Sequence, residues 1–173
     1  MSDAIQVRAL PTMSEREIQE LSDVLIDCVE GGASVSFMLP IARATALAFW
    51  RGVATGVEQR ERILFVAQNA LGQIIGTVQL VFAQVENQPH RADIAKMLVH
   101  RRARRHGVGA ALLAAAESAA LSAGKTLLVL DTASGDAERL YAKLGWQRCG
   151  VIPGYALLPG GGLCDTTIFY RTL

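Results

Sequence analysis

Arg104, Arg105, His106, Gly107 and Gly109 crowd into one turn, between a strand expected over Ala92–Val99 and a helix expected over Val108–Ala123. A helix N-terminus presents unpaired N–H groups and the positive end of its dipole. Glycines at 107 and 109 leave the main chain bare where a ligand has to come close. The pattern predicts a phosphate or pyrophosphate site. Its parts are the main chain of Gly107, Val108, Gly109 and Ala110, with charge from Arg104, Arg105 and His106. A dinucleotide-binding turn opens the same way, and Asp131 ends the next strand where a ribose-binding acid belongs. Leu112, however, stands where that pattern needs a third glycine, and too few elements follow for a doubly wound sheet. A P-loop is excluded because no Gly-Lys-Ser/Thr follows at the required spacing. The arginine run is also what a polynucleotide would contact. Yet 17 Lys+Arg against 16 Asp+Glu leave a net charge of +1, far from a basic footprint, so no nucleic-acid partner is expected.

Other reactive residues are scattered. Asp93 and Asp131 lie near strand ends, where each is either a solvated or turn-forming carboxylate or a base. Tyr141 sits at helical spacing with Leu140 and Leu144, as a packed ring or as a phenol aimed at a site. Cys28, Cys149 and Cys164 form no CxxC pair and no metal spacing, so neither a disulfide nor a metal is expected and a reducing, cytoplasmic setting is. No histidine has a Ser or Cys partner in a recognisable arrangement.

The chain has 173 residues, 51% hydrophobic and 19% charged. That suffices for one folded domain with its own core, over 1–173. The apolar stretch from Gly107 to Gly124 carries only Glu117, near its middle, along with small residues. It reads as a buried helix, with no membrane partner, because a charge at that depth in lipid is costly. The N-terminal MSDAIQVRAL has acid where a leader has base, and no apolar core.

The elements that must position these residues follow from periodicity and punctuation. Ile5–Leu10 is a short strand. Ser14-Glu-Arg-Glu17 is a capping box opening a helix that Gly31-Gly32 ends. Pro40 suits the first turn of a second helix running to about Gly56. Ile63–Ala67, Ile74–Val85 and Ala92–Val99 are strands, and the helix Val108–Ala123 follows. Leu127–Asp131 is a strand and Ala137–Leu144 a helix. Trp146–Ile152 and Thr166–Arg171 are strands around a Gly/Pro-rich loop, Pro153–Gly162. The order β-α-α-β-β-β-α-β-α-β-β predicts a mixed α/β fold. Its sheet is mostly antiparallel, with one late βαβ crossover.

Arg104-x-x-Gly107-x-Gly109 after a strand ending in Val99 resembles the first motif of the GNAT superfamily, the GCN5-related N-acetyltransferases. Ala137-x-x-x-Tyr141-x-x-x-Gly145-Trp146 resembles the second, and the element order matches from end to end. Gly31-Gly-Ala-Ser-Val-Ser-Phe-Met38, Pro153-Gly-Tyr155-Ala and the closing Thr-x-Phe-Tyr-x-Thr-Leu are similar to the tabtoxin-resistance acetyltransferase branch. Arg101 replaces a proline common before the first motif, and Ser134 or a neighbour replaces an asparagine common before the second.

The resemblance implies the GNAT fold, with a parallel strand pair splayed at the site, acetyl-CoA as cofactor, and direct transfer to an amine. Met97, Leu98 and Val99 would hold the pantetheine, and a backbone N–H there would bond the thioester carbonyl. The turn would grip the pyrophosphate, and Ser134 and Asp136 would lie against the same cofactor. Tyr141 is the family's usual acid at the sulfur, and the branch carries acids at the positions of Asp93 and Asp131. A base is useful, because only about one in two thousand lysine-like amines is neutral at pH 7. The acceptor wall would use Gly32, Ala33, Ser34, Phe37, Trp50, Asp131 and Tyr155. Its few carboxylates favour a small amino-acid-like amine over a polycation; the resemblance adds a toxin- or antibiotic-like amine, as in resistance, and a protein or peptide amine is the alternative. A homodimer is expected. A GNAT domain that binds CoA without catalysis is the reading outside enzymes.

Overall fold

The computed structural model describes residues 5–173. The elements run β1 (Gln6–Ala9), α1 (Glu15–Glu30), α2 (Arg43–Glu58), β2 (Arg62–Gln68), β3 (Ile74–Phe82), β4 (Arg91–Val99), α3 (Val108–Ser122), β5 (Leu127–Thr132), α4 (Gly135–Lys143), β6 (Gln147–Leu157) and β7 (Leu163–Thr172), with a single 3-10 turn at Arg101–Ala103. The strands form one seven-stranded sheet in the order β1-β2-β3-β4-β5-β7-β6. Every neighbouring pair is antiparallel except β4 and β5, the expected crossover.

Alternation in β2 shows how the sheet divides the core. Leu64 and Val66 face α1 and α2, in a cluster with Leu21, Leu25 and Trp50. Phe65 and Ala67 face α3 and α4, with Leu112, Leu113, Tyr141 and Phe169. Successive strand residues point to opposite faces, so one strand serves two cores. The α1 capping box forms as expected: Ser14 N–H donates to Glu17 Oε2 at 2.8 Å, and Glu17 N–H to Ser14 Oγ at 3.3 Å. The single charge of α3 is satisfied too, since Glu117 Oε1 accepts from Trp146 Nε1 at 2.8 Å and Arg171 Nη1 at 3.2 Å. Among the described residues no helix is long and apolar enough to cross a membrane.

β4 breaks the alternation. Ala92 and Ile94 lie in the α3 core, but Leu98, also even-numbered, lies in the α1/α2 core. The register explains this: Gln79 pairs with Ala95 while Thr77 pairs with Leu98, so β4 carries one extra residue. A β-bulge at Lys96–Met97 therefore inverts the strand, with Lys96 at φ +48°.

Several expected boundaries move, among them the start of β7, which lies at Leu163 rather than Thr166. Helix α2 starts at Arg43 rather than in the turn of Pro40; the preceding segment stays outside the helix, where Leu39 N–H donates to Pro159 O at 2.9 Å. Strand β3 stops at Phe82 instead of Val85, and Ala83 N–H turns to Arg91 O. Strand β6 continues through the expected loop to Leu157. Pro153 is tolerated because the register shifts between Ile152 and Ala156 on an edge strand, and Gly154 N–H is taken by Asp165 Oδ1 at 2.9 Å.

A side chain at Gly76 would meet Leu98 O and Val108 Cγ1 at 3.0 Å, so this glycine lets α3 lie close against β3. Gly76→Val is expected to lower stability by about 2 kcal/mol or more. Gly52→Ala, in α2 with nothing within 4 Å of the added carbon, should raise it by about 0.5–1 kcal/mol. Urea denaturation measures both; a Gly76→Val protein as stable as the parent would contradict the packing described.

Candidate active site

Only Arg91, Ala92 and Asp93 of β4 pair with Leu127, Leu128 and Val129 of β5. Beyond Asp93, β4 continues on β3 and β5 continues on β7, and the two strands part. The gap opens into a cleft of about 1110 Å³. It is lined by the rest of β4, the end of β5, the N-termini of α3 and α4, the α1–α2 loop and the β6–β7 hairpin.

Met97, Leu98, Val99, Arg104, Arg105, Gly107, Val108, Gly109 and Ala110 all border this cleft, as do Ser134, Asp136, Tyr141, Asp93 and Asp131. So do Gly32, Ala33, Ser34, Phe37 and Tyr155. Residues separated by up to 123 positions thus meet at one opening. His106 does not line it; this exposed side chain lies outside the cleft, contrary to expectation. Trp50 is also misassigned as a wall residue. It is fully buried, with Phe49 edge-on at 4.9 Å and Phe37 in turn edge-on to Phe49 at 5.3 Å.

The basic turn is less free than its sequence implies. Arg101 donates from N and Nε to Asp27 at 2.8 and 3.0 Å, tying the turn to α1. Burial acts to raise the Asp27 pKa, but the hydrogen bonds from Arg101, with the charges of His100 and Arg101, bring it below the usual carboxylate value. Arg102 faces a separate groove beside Asp23, Asp27 and Glu30. Arg104 Nε donates to Val99 O at 3.1 Å, closing the end of β4. The glycines divide their work. Gly107 caps α3 at φ +81° with open space around it. A side chain at Gly109 would press on Leu140 Cδ2 at 3.1 Å, so Gly109 admits α4. The N–H groups of Val108, Gly109 and Ala110 have no partner among the described residues and end at the cleft. That leaves a main-chain anion cradle at the head of a helix of 15 residues.

Tyr141 combines both of its expected roles. Its ring is packed between Trp146 and Phe169 at 5.9 and 5.8 Å, and the residue is 3% exposed. Among the described residues its hydroxyl has no hydrogen-bond partner, yet it is not one of the buried unpaired atoms, and the residue borders the cleft. Burial, helped by the negative charge of Asp131, pushes its pKa up to about 12. Asp131 Oδ2 accepts from Thr166 Oγ1 at 2.8 Å, and its other oxygen has no partner among the described residues. Asp93 takes Arg91 Nη1 at 2.6 Å. Burial raises its pKa against the pull of Arg91, and nearby Asp131 adds to the rise. Ser134 caps α4, accepting Ala137 N–H at 3.4 Å, and Asp136 pairs with Arg139.

Lys96 was not singled out by sequence. It borders the cleft, donates to Ser36 Oγ at 2.9 Å, and burial lowers its pKa. A signal was present: Ile94 and Lys96 share a face in an unbroken strand, and that face is apolar, so a bulge or a functional charge was required.

The family model described as "Acetyltransferase (GNAT) domain" matches residues 60–148, from β2 through the start of β6. An "Uncharacterized N-acetyltransferase in hisH-hisA intergenic region" of Azospirillum brasilense is 33% identical over 129 residues, covering 73% of this chain and 74% of that one. Among solved structures, a candidate acetyltransferase of Acinetobacter baylyi ADP1 superposes with a TM-score of 0.84 at 16% identity, covering 100% of this chain and 95% of that one. Another candidate acetyltransferase, from Salmonella typhimurium and solved with its cofactor acetyl-CoA, gives 0.79 at 16%, covering 98% and 94%. At those identities the structures speak for the fold; the motif-bearing match and the curated relative speak for descent. The chain belongs to the GNAT family of N-acetyltransferases.

Proposed function

We propose that this N-acetyltransferase uses acetyl-CoA to acetylate the primary amine of a small, amino-acid-like molecule. The observation that carries the reading is the cleft between β4 and β5, with an anion cradle at one end and a phenol and carboxylates at its middle. The cradle suits the cofactor. Val108, Gly109 and Ala110 offer unpartnered N–H groups, and Gly107 leaves open space in front of them. Arg105 adds charge at its rim, and Ser134 and Asp136 lie across the gap. Acetyl-CoA, when bound, supplies an activated acyl group and a thiolate leaving group.

The remaining chemistry falls to side chains. The free edge of β4 at Met97–Val99 offers main-chain donors for the acyl oxygen. Asp131, with one oxygen unpartnered among the described residues, takes the proton of the incoming amine, directly or through water. Asp93 raises the negative charge near that amine. Tyr141 serves the sulfur. A phenol at about 12 against a thiol near 8.5 makes complete proton transfer uphill by about 5 kcal/mol. Tyr141 is therefore a hydrogen-bond donor to the departing sulfur, and the proton itself follows later from solvent or the amine. Gly32, Ala33, Ser34, Phe37 and Tyr155 form the acceptor wall opposite. The likeness of Gly31–Met38 and Pro153–Ala156 to the tabtoxin-resistance branch supports an acceptor of that kind.

Two further properties are inferred. Cys28, Cys149 and Cys164 are all free thiols, which supports a reducing, cytoplasmic location. Edge strand β6 exposes Val151, Ile152, Tyr155 and Leu157, which supports a homodimer; light scattering that finds only monomer at micromolar protein would contradict it.

Calorimetry should show acetyl-CoA binding, abolished by Gly107→Glu, which sets a carboxylate in front of the cradle. No binding at millimolar ligand, or no effect of that substitution, would remove the cofactor assignment. Thiol release across a panel of amines should then fall about a hundredfold in Tyr141→Phe, with acetyl-CoA affinity unchanged. Asp131→Asn should lose a similar factor at pH 7 and recover part of it at higher pH, where more of the amine is already neutral. Tight cofactor binding with no turnover on any amine would favour a binding domain instead.

A further inference from the structure

Lys96 and Asp131 both border the cleft and do not neutralise each other, while Asp93 is paired with Arg91 and Asp165 accepts from Gly154 N–H. Lys96 makes no ion pair among the described residues, and its only hydrogen-bond partner is the neutral Ser36 Oγ. Asp131 likewise has no ion pair and accepts only from Thr166. The two feel each other's charge, yet they do not come within the 4.0 Å of a salt bridge. The other cations of the cleft are differently occupied or placed, Lys143 being exposed in the last turn of α4. Arg104 is held by Val99 O, Arg139 pairs with Asp136, and Arg105 stands at the turn before α3.

The backbone is bent to produce this arrangement. Lys96 sits in the bulge of β4 at φ +48°, and its partner Ser36 at φ +79°. Both are left-handed conformations that non-glycine residues rarely adopt, and such strain gathers where function fixes a geometry. Without the bulge Lys96 would share the buried face of Ala92 and Ile94. With it, the lysine reaches the α1–α2 loop, its ammonium 6.0 Å from the Phe49 ring. A half-buried cation with no counter-ion, opposite an unpaired carboxylate, matches a ligand carrying the complementary pair.

We infer that Lys96, positioned by Ser36, binds a carboxylate of the acceptor, so that the substrate is an amino acid with a free carboxylate whose amine is turned toward Asp131. This rests on the acetyltransferase reading above and specifies its acceptor. A carboxylate entering beside Lys96 replaces the missing counter-ion. Its own ammonium group meets Asp131, where one proton must leave before nitrogen attacks.

The test compares thiol release from acetyl-CoA with the standard L-amino acids and with their α-amides and decarboxylated amines. The wild-type protein should prefer acids over both counterparts by about ten- to a hundredfold in kcat/KM, the range of a charge-assisted hydrogen bond. In Lys96→Met that preference should vanish through a rise in KM, with acetyl-CoA affinity by calorimetry unchanged. Calorimetric binding of the preferred acid should weaken by the same factor. Ser36→Ala, a milder variant, should move KM in the same direction by less. Equal use of acids and amides by wild type, or a Lys96→Met protein that loses both equally, would overturn the carboxylate role while leaving the acetyltransferase intact. No turnover on any member of the panel would overturn the acceptor reading as a whole.

Discussion

Everything at the site depends on two parallel strands that pair for three residues and then separate. In a closed sheet, each strand's edge is consumed by its neighbour's hydrogen bonds. Here β4 beyond Asp93 is bonded on one side only, to β3, and β5 only to β7. That leaves main-chain donors and acceptors at the edge of a cleft, in the interior of the fold, where unpaired polar groups are otherwise costly. The arrangement persists because the outer neighbours hold each strand independently. Strand β7, inserted between β5 and β6, anchors β5 along all six of its residues.

The bulge in β4 is the second half of the same device. One extra residue moves Leu98 into the core opposite to that of Ile94 and turns Met97 and Val99 toward the α3 core. It follows the end of the pairing with β5 at Asp93 and places Lys96 at the cleft. Glycines complete the geometry, each for a distinct reason. Gly76 lets α3 approach the sheet, Gly109 lets α4 approach α3, and Gly107 gives the left-handed cap that points unpaired N–H groups outward. Of the two glycines in Arg104-x-x-Gly107-x-Gly109, then, only the first faces open space.

Much of this was legible in the sequence. The capping box at Ser14–Glu17, the strand-turn-helix at Val99–Val108 and the order of elements follow from local rules and hold in the structure. Nearly every expected site residue reaches one cleft, because the motifs mark strand ends and helix starts, and the fold gathers those at the splay. The failures came where a contact distant in sequence overrides a local signal. Trp50 looked available but fills the α1/α2 core. The arginine run looked like one cluster, but Asp27, 74 residues away, claims Arg101. His106 belongs to the motif's charge but not to its cleft. Pro153 looked like a loop, yet an edge strand with a register shift carries it. Lys96 was hidden because period-two counting assumes an unbroken strand.

A crystal structure of the protein soaked with acetyl-CoA tests the account most directly. Density for the cofactor is expected between β4 and β5, its diphosphate against the N–H groups of Val108, Gly109 and Ala110 and its sulfur beside the Tyr141 hydroxyl. Cofactor density in the groove between α1 and His100 instead, or β4 and β5 paired continuously past Asp93 with no cleft between them, would contradict it.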